Sequence, residues 1–171
     1  MKKVLVKRLI IGVLSVGVVL SPFASQYSGL STPVSASTTV FQETFDAGLL
    51  GWSYDYASVG TVNGNKYIHI QSGENTSSIP GSGVISDIGF IERDVPGVSN
   101  GQRYKVTFRA SGVGNVSINN ADYIRINTGS VNMNSAQTYS YEGVSNKNVI
   151  NIFAITLGST MGIDDIKIEA L

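Results

Sequence analysis

Few side chains of this 171-residue sequence could carry out catalysis, and the first to consider is His69, its only histidine. A serine-histidine-aspartate triad would need His69 as the base, yet no Gly-x-Ser-x-Gly turn leads into a helical pattern. The chain has no cysteine, which excludes thiol catalysis and zinc sites with cysteine ligands. Its single histidine excludes zinc sites built from several histidines. The Gly-Ser-Gly run at residues 81–83 lacks the Lys-Ser or Lys-Thr pair of a phosphate-binding loop. The common catalytic motifs are therefore missing.

Paired carboxylates are the remaining route to catalysis. A glycosidase needs two of them roughly 5 to 10 Å apart, one with a raised pKa. The twelve acidic residues could supply such a pair, but the polar positions of the predicted strands contain almost no glutamate. A small hydrolase thus remains an alternative, and the sequence favours a binding protein that is not an enzyme.

Polar and aromatic side chains occupy the outward positions of several predicted strands, as in a surface that binds sugars. Aromatic rings stack on the C–H faces of sugars, and planar polar groups bind their hydroxyls. The predicted ligand-binding residues are Tyr67, His69, Gln71, Arg109, Tyr123, Arg125 and Asn127. The alternative is that these residues only stabilise cross-strand pairs, because the sequence does not show that the strands are neighbours. A second candidate site, in loops at one edge, comprises Tyr54, Tyr56, Asn119, Asn120 and Asp122.

The elements that carry these residues are predicted to be β-strands. Apolar residues alternate with polar ones with a period of two, so that Ile68 and Ile70 share one face and Tyr67 and His69 the other. Turn signals rich in Gly, Asn and Pro separate the runs, and helical periodicity is nearly absent after residue 40. Eight or nine short strands at this spacing predict two antiparallel sheets around one core.

The N-terminus is predicted to be a secretory signal peptide, residues 1–36. A basic start precedes about a dozen uncharged, mostly apolar residues (9–20), too few to span a bilayer. The best cleavage site follows Ala36; earlier cleavage or an uncleaved anchor are the alternatives. Residues 37–40 are predicted to be a short tether, and 41–171 one domain. The mature chain has eight basic and twelve acidic residues, which does not favour nucleic acid or anionic membrane as a partner.

Three segments resemble a known family. Residues 43–53 (ETFDAGLLGWS), 104–111 (YKVTFRAS) and 162–168 (GIDDIKI) resemble jelly-roll carbohydrate-binding modules of the galactose-binding-like superfamily. The last two segments also resemble the third domain of three-domain insecticidal crystal toxins. The resemblance implies an all-β, two-sheet antiparallel jelly-roll β-sandwich.

The resemblance also implies one structural Ca²⁺ between the first and last strands, with Glu43 and Asp164 as the matching ligands. Two carboxylates from the chain ends would repel each other unless a hard cation joined them. The alternative is that Asp164 and Asp165 flank a turn and face water. Trp52, the lone tryptophan, is expected to be structural, since the family packs that position near the core.

The function expected from these features is that of a secreted or cell-surface, non-catalytic, lectin-like protein that binds polysaccharide or cell-surface glycan. The absence of cysteine is more typical of bacterial than of animal exported proteins. The alternative is a secreted structural or interaction protein of the cell envelope, or a toxin accessory, that binds a protein partner. The sequence does not identify the glycan or favour the strand face over the edge loops.

Overall fold

A computed structural model describes residues 37–75, 85–120 and 123–171, so the predicted signal peptide lies outside the described residues. Twelve strands and one 3₁₀ turn make up this part of the chain, in which no helix is long and apolar enough to cross a membrane. The elements are β1 (Thr38–Glu43), β2 (Ser53–Asp55), β3 (Ala57–Val62), β4 (Asn65–Gln71), β5 (Gly73–Asn75), β6 (Ile85–Asp87), β7 (Gly89–Pro96), β8 (Arg103–Ile118), β9 (Ile124–Asn127), the 3₁₀ turn (Met133–Ser135), β10 (Gln137–Val144), β11 (Val149–Thr156) and β12 (Thr160–Ala170).

Two antiparallel sheets are joined by the long strand β8. In sheet A, the first half of β8 lies between β10 and β12; the far side of β12 pairs with β1 and with β4, and β3 pairs with β4. In sheet B, the second half of β8 lies between β9 and β11, followed by β7 and β2. Strands β5 and β6 form a separate two-stranded ribbon. The predicted all-β antiparallel sandwich is confirmed.

The core lies between the two sheets and follows the predicted alternation. Ile68 of sheet A and Ile126 and Ile152 of sheet B belong to the same buried cluster, and each is at most 1% exposed. Burying a side chain of this size contributes about 1.5–3 kcal/mol relative to exposure. The inward positions of the strands therefore supply the main favourable energy, and the outward positions are left for function.

The first strand of the domain begins inside residues 37–40, the segment predicted to be a tether. Strand β1 begins at Thr38, which lies opposite Ala170 of β12, so residues 38–40 belong to the sheet. Two of these residues are threonines and the third is Val40; β-branched residues are typical of strands. The backbone of the last strand offers them a partner that the local sequence did not reveal.

Strand β8 passes from one sheet to the other at Gly112, where the backbone has φ +98°. A Cβ atom there would lie 2.4 Å from the carbonyl oxygen of Thr160 and 2.9 Å from Cγ2 of Val131. Both the backbone conformation and the close approach require glycine at this position.

We predict that Gly112→Ala lowers the free energy of unfolding by about 3 kcal/mol or more, because backbone strain and a backbone clash add up. Gly64→Ala is the matched control, since Gly64 also has positive φ (+84°) but nothing within 4 Å of its Cβ position. We expect the control to cost about 1 kcal/mol, from strain alone. Urea denaturation measures both values, and equal losses would contradict the role assigned to the crossing point.

Candidate functional site

The structure divides the predicted ligand-binding residues between two faces of the sandwich. Tyr67, His69 and Gln71 project outward from β4 of sheet A, where their neighbours Ile68 and Ile70 point into the core. Arg109 is also in sheet A but is separated from β4 by β12. Tyr123, Arg125 and Asn127 are exposed on and just before β9, at the edge of sheet B. The predicted orientations are correct, but these residues do not form one surface.

A cover segment, residues 131–135, lies on the outer face of sheet A. Met133 is 4% exposed and packs against Gly162, where a Cβ would come within 2.6 Å of its sulfur. The backbone N–H of Asn132 donates to Oγ of Ser111 at 2.8 Å. The cover segment therefore occupies the middle of this face.

The guanidinium group of Arg109 makes two contacts with other residues of the protein. Its Nη1 lies 3.2 Å from Oδ2 of Asp165, and its Nη2 donates to the carbonyl oxygen of Met133 at 2.9 Å. These contacts tie the cover segment to β12. They give Arg109 a structural role, and its predicted contact with a ligand stays a prediction.

The outer face of sheet B, which we call face B, combines aromatic and polar side chains. Cross-strand register puts Phe153 of β11 between Glu92 of β7 and Ser117 of β8. In the adjacent row, Ile155 of β11 lies between Phe90 and Asn115. The residues of face B that the strands β7, β8, β9 and β11 supply are Phe90, Glu92, Asp94, Asn115, Ser117, Arg125, Asn151, Phe153 and Ile155.

An aromatic pair lies at the centre of face B. The ring centroids of Phe90 and Phe153 are 5.9 Å apart, and the rings are tilted by 43°. Both residues are partly buried, although they lie on the outer side of the sheet. Rings in this position present apolar surface to a ligand and are positioned by each other.

A hydrogen-bonded cluster adjoins the aromatic pair. The side-chain amide of Asn151 donates to Oε1 of Glu92 and to Oδ1 of Asp94, at 2.9 Å in each case. Asn119 in turn exchanges hydrogen bonds with the backbone of Asn151, both at 2.8 Å. The two carboxylates are therefore positioned by a fixed amide and keep acceptor capacity for a ligand.

Shallow recesses open at both ends of face B. The recess at the acidic end has a volume of about 400 Å³ and is lined by Gly51, Ser53, Glu92, Arg93, Asp94 and Asn151. The recess at the other end, about 310 Å³, is lined by Val113, Gly114, Asn115, Arg125, Leu157 and Ser159. A third, about 220 Å³, borders Asp94 and Asn151 and includes the predicted loop residues Asn119 and Asn120.

The other predicted loop residues lie elsewhere. Tyr54 is on β2 opposite Ile91, and the ring of Tyr56 lies against Gly73. Asp122 lies outside the described residues. Among the described members of the edge-loop site, the two asparagines border face B and the two tyrosines lie elsewhere, so these four do not form one cluster.

Within the described residues no hydrogen bond joins Glu43 to Asp164, the two predicted calcium ligands, although Glu43 lies opposite Ile166 of β12. The carboxylate of Glu43 accepts hydrogen bonds from the backbone of Phe45 (2.9 Å) and from Nε1 of Trp52 (3.3 Å), and it pairs with Arg93 at 3.1 Å. Trp52 is 6% exposed, in tilted contact with Phe45, as expected for a structural residue. Glu43 thus helps to hold this tryptophan in the core.

Asp164 lies in a different environment, a small recess of about 160 Å³ whose other acidic residues are Asp46 and Asp165. It is 6% exposed, and its Oδ1 is buried without a hydrogen-bond partner. Desolvation by this burial raises the pKa of Asp164 from 3.8 to about 6; the nearby carboxylates also raise it, whereas Arg109 and a backbone hydrogen bond from Asp165 lower it. Asp165 has φ +50° at an irregularity in the register of β12, which brings both carboxyl groups to the same recess.

The side chains near Asp164 supply some, but not all, of the oxygen ligands that a hard cation needs. An orphaned buried carboxylate oxygen and a second acidic side chain, Asp46, are the kinds of ligand that Ca²⁺ prefers. Within the described residues, however, no three His, Cys, Asp or Glu side chains are grouped closely enough to hold a metal ion. Backbone carbonyls or water would have to complete the coordination.

Comparison with known proteins identifies the fold. No family model matches the chain, and no curated protein matches its sequence. A family 35 carbohydrate-binding module from Clostridium thermocellum is 16% identical, with a TM-score of 0.50 over 77% of this chain and 97% of that one. The CBM22-2 xylan-binding domain of Paenibacillus barcinonensis Xyn10C is 12% identical, with a TM-score of 0.51 over 77% and 99%.

A third structure contains more than one module. It comprises the CBM22-1 and GH10 modules of Clostridium thermocellum xylanase 10B, complexed with xylohexaose, and is 17% identical, with a TM-score of 0.49. The match covers 77% of this chain but only 28% of that one. The likeness to the first two structures confirms the predicted fold: the chain has the jelly-roll β-sandwich of carbohydrate-binding modules.

We predict that Asp164 makes stability fall as the pH rises. Because its pKa in the folded state is raised above 3.8, the folded protein favours the protonated form. This contribution is complete below about pH 4 and is lost as the pH rises to about 6; a change of this size corresponds to about 3 kcal/mol. Asp164→Asn removes it, so the variant should gain stability relative to the parent between pH 4 and 7. Urea denaturation in chelator measures the difference, and a difference that stays constant with pH would contradict the prediction.

Proposed function

We propose that the protein binds a polysaccharide or cell-surface glycan on face B and catalyses no reaction. The observation that carries this proposal is the Phe90–Phe153 pair, partly exposed on the outer side of sheet B beside the hydrogen-bonded cluster of Asn151. A sugar ring needs both kinds of surface at once: an apolar ring for its C–H face and oriented polar groups for its hydroxyls.

The shape of face B favours an extended ligand. Its recesses are shallow and lie at opposite ends of the face, at Asp94 and at Arg125, whereas sites for small molecules typically enclose most of the ligand surface. The two structures of the same fold are described as a carbohydrate-binding module and as a xylan-binding domain. Sheet A is less suitable, because the cover segment and Arg109 occupy its outer face.

Binding without catalysis fits the position of the only histidine. His69 is on β4 of sheet A, so it cannot act as a base for a ligand on face B. The predicted signal peptide supports a secreted or cell-surface location, where polysaccharides are accessible.

We predict that Phe153→Ala weakens glycan binding at least about tenfold, since ring stacking is lost together with apolar contact area. Tyr67→Ala is the matched control, because Tyr67 is an outward aromatic residue of sheet A. We expect the control to bind as the parent does. A glycan array identifies the ligand, and titration calorimetry with that ligand measures both variants. An empty array, or binding that is lost with Tyr67→Ala and kept with Phe153→Ala, would rule out face B.

We also propose that the recess at Asp164 holds a structural Ca²⁺, with Asp164 and Asp46 as ligands and Glu43 not among them. The orphaned Oδ1 of Asp164 supports this proposal, because a buried carboxylate oxygen without a hydrogen-bond partner costs stability that a bound cation would restore. The bound ion would supply only local charge compensation and would have no role in a reaction.

We predict that millimolar Ca²⁺ raises the melting temperature of the protein by several degrees, as expected for a ligand that binds only the folded state. Asp164→Asn should remove the effect, whereas Glu43→Gln should lower the melting temperature and still respond to Ca²⁺. Differential scanning calorimetry with and without chelator measures these shifts. If the unmodified protein shows no shift, it holds no calcium here; a shift that Glu43→Gln abolishes would restore the ligand pair implied by the family resemblance.

A further inference from the structure

The acidic end of face B carries a fixed pair of carboxylates. Glu92 and Asp94 are two residues apart on β7 and therefore project from the same side of the strand. Both accept a hydrogen bond from the one side-chain amide of Asn151, at 2.9 Å. This amide sets the orientation of both carboxylates before any ligand arrives.

The pair forms no ion pair with a basic side chain of the described residues. Arg93 also lines the recess, but its guanidinium pairs with Glu43 at 3.1 Å and lies 5.7 Å from the ring centroid of Trp52. Lys147 lines the neighbouring recess that Asp94 borders. The charged side chains that line the recess itself, Glu92, Asp94 and Arg93, have a formal net charge of about −1, so a cationic group of a ligand is attracted there.

The carboxylates are also next to the ring that would hold a sugar. Glu92 lies directly opposite Phe153 in the register of β7 and β11. Side chains in such a cross-strand pair start from Cβ atoms about 5 Å apart. A sugar stacked on Phe153 would accordingly place one of its ring substituents near the carboxylates.

We propose that face B prefers a glycan that carries free amino groups, a polymer of 2-amino sugars, with a protonated amine bound between Glu92 and Asp94. This inference rests on the proposed function. An ammonium group has only donors and a carboxylate only acceptors, so the match is complete, and the opposite charges strengthen each hydrogen bond. A hydroxyl makes the same contacts without the charge, and an N-acetyl group loses the charge and adds volume. The recess thus selects by charge within a set of otherwise similar sugars.

Three β-1,4-linked hexasaccharides that differ only at position 2 test the proposal: cellohexaose with a hydroxyl, the glucosamine hexamer with an amine, and the N-acetylglucosamine hexamer. Titration calorimetry at about pH 6, where a sugar amine is largely protonated, measures each affinity. We expect the glucosamine hexamer to bind about 10- to 100-fold more tightly than cellohexaose, the range given by charge-assisted hydrogen bonds. This preference should shrink in high salt, because screening weakens exposed charge pairs.

Isosteric variants show which residues cause the preference for the glucosamine hexamer. Glu92→Gln and Asp94→Asn should each lower the ratio of the affinity for the glucosamine hexamer to that for cellohexaose toward one, because the amide keeps the shape of the carboxylate and loses its charge. Glu142→Gln makes the same charge change on β10 of sheet A and is the control for net charge. Phe153→Ala should weaken binding of all three hexasaccharides.

The outcomes separate this proposal from the one on which it rests. Equal affinities for the three sugars, each lowered by Phe153→Ala, would overturn the amine preference and leave glycan binding on face B intact. A preference that Glu142→Gln reduces as much as Glu92→Gln would show general charge attraction and would also overturn it. If no hexasaccharide binds and the glycan array is empty, both proposals fail.

Discussion

Strand β8 is the constraint on which the architecture depends, because it belongs to both sheets. Its first half pairs with β10 and β12, and its second half pairs with β11 and β9. The strand changes sheets at Gly112, where both the backbone conformation and the nearby carbonyl of Thr160 exclude a side chain. One long strand therefore links the two sheets. Before Gly112, its outward residues Arg109 and Ser111 contact the cover segment. After Gly112, its outward residues Asn115 and Ser117 form part of face B.

The sequence predicted which way side chains point better than which strands are neighbours. A period of two identifies the inward residues, and Ile68, Ile126 and Ile152 are indeed buried. Pairing depends on long-range contacts that alternation does not encode. For this reason the sequence alone does not show that the row of Tyr67 and the row of Arg125 lie on different sheets.

The aromatic pair of face B and the contacts of Glu43 could not be predicted from the sequence, for physical reasons. Residues 149–157 are apolar on both faces, which is typical of a central strand, so Phe153 did not stand out; its outward position was the available signal. Glu43 matched a calcium ligand by its place in the chain, but Arg93 and Trp52 both contact its Oε2, and the backbone N–H of Phe45 donates to its Oε1. The contact with Arg93 joins β1 to β7, fifty residues later, and no local pattern could have predicted it.

A carboxyl group behaves differently at Asp164, where it is buried, and at the Glu92–Asp94 pair, where it faces solvent. The carboxyl of Asp164 is buried beside other acidic groups, so its charged form costs stability and its pKa rises to about 6. Glu92 and Asp94 are at a recess open to solvent, where water stabilises their charge and the amide of Asn151 orients them at little cost. Under the two proposals made for these sites, the buried carboxylate is completed by a resident ion that is part of the fold. The exposed and oriented pair binds a ligand that exchanges with the medium, because its charge is accessible from solvent.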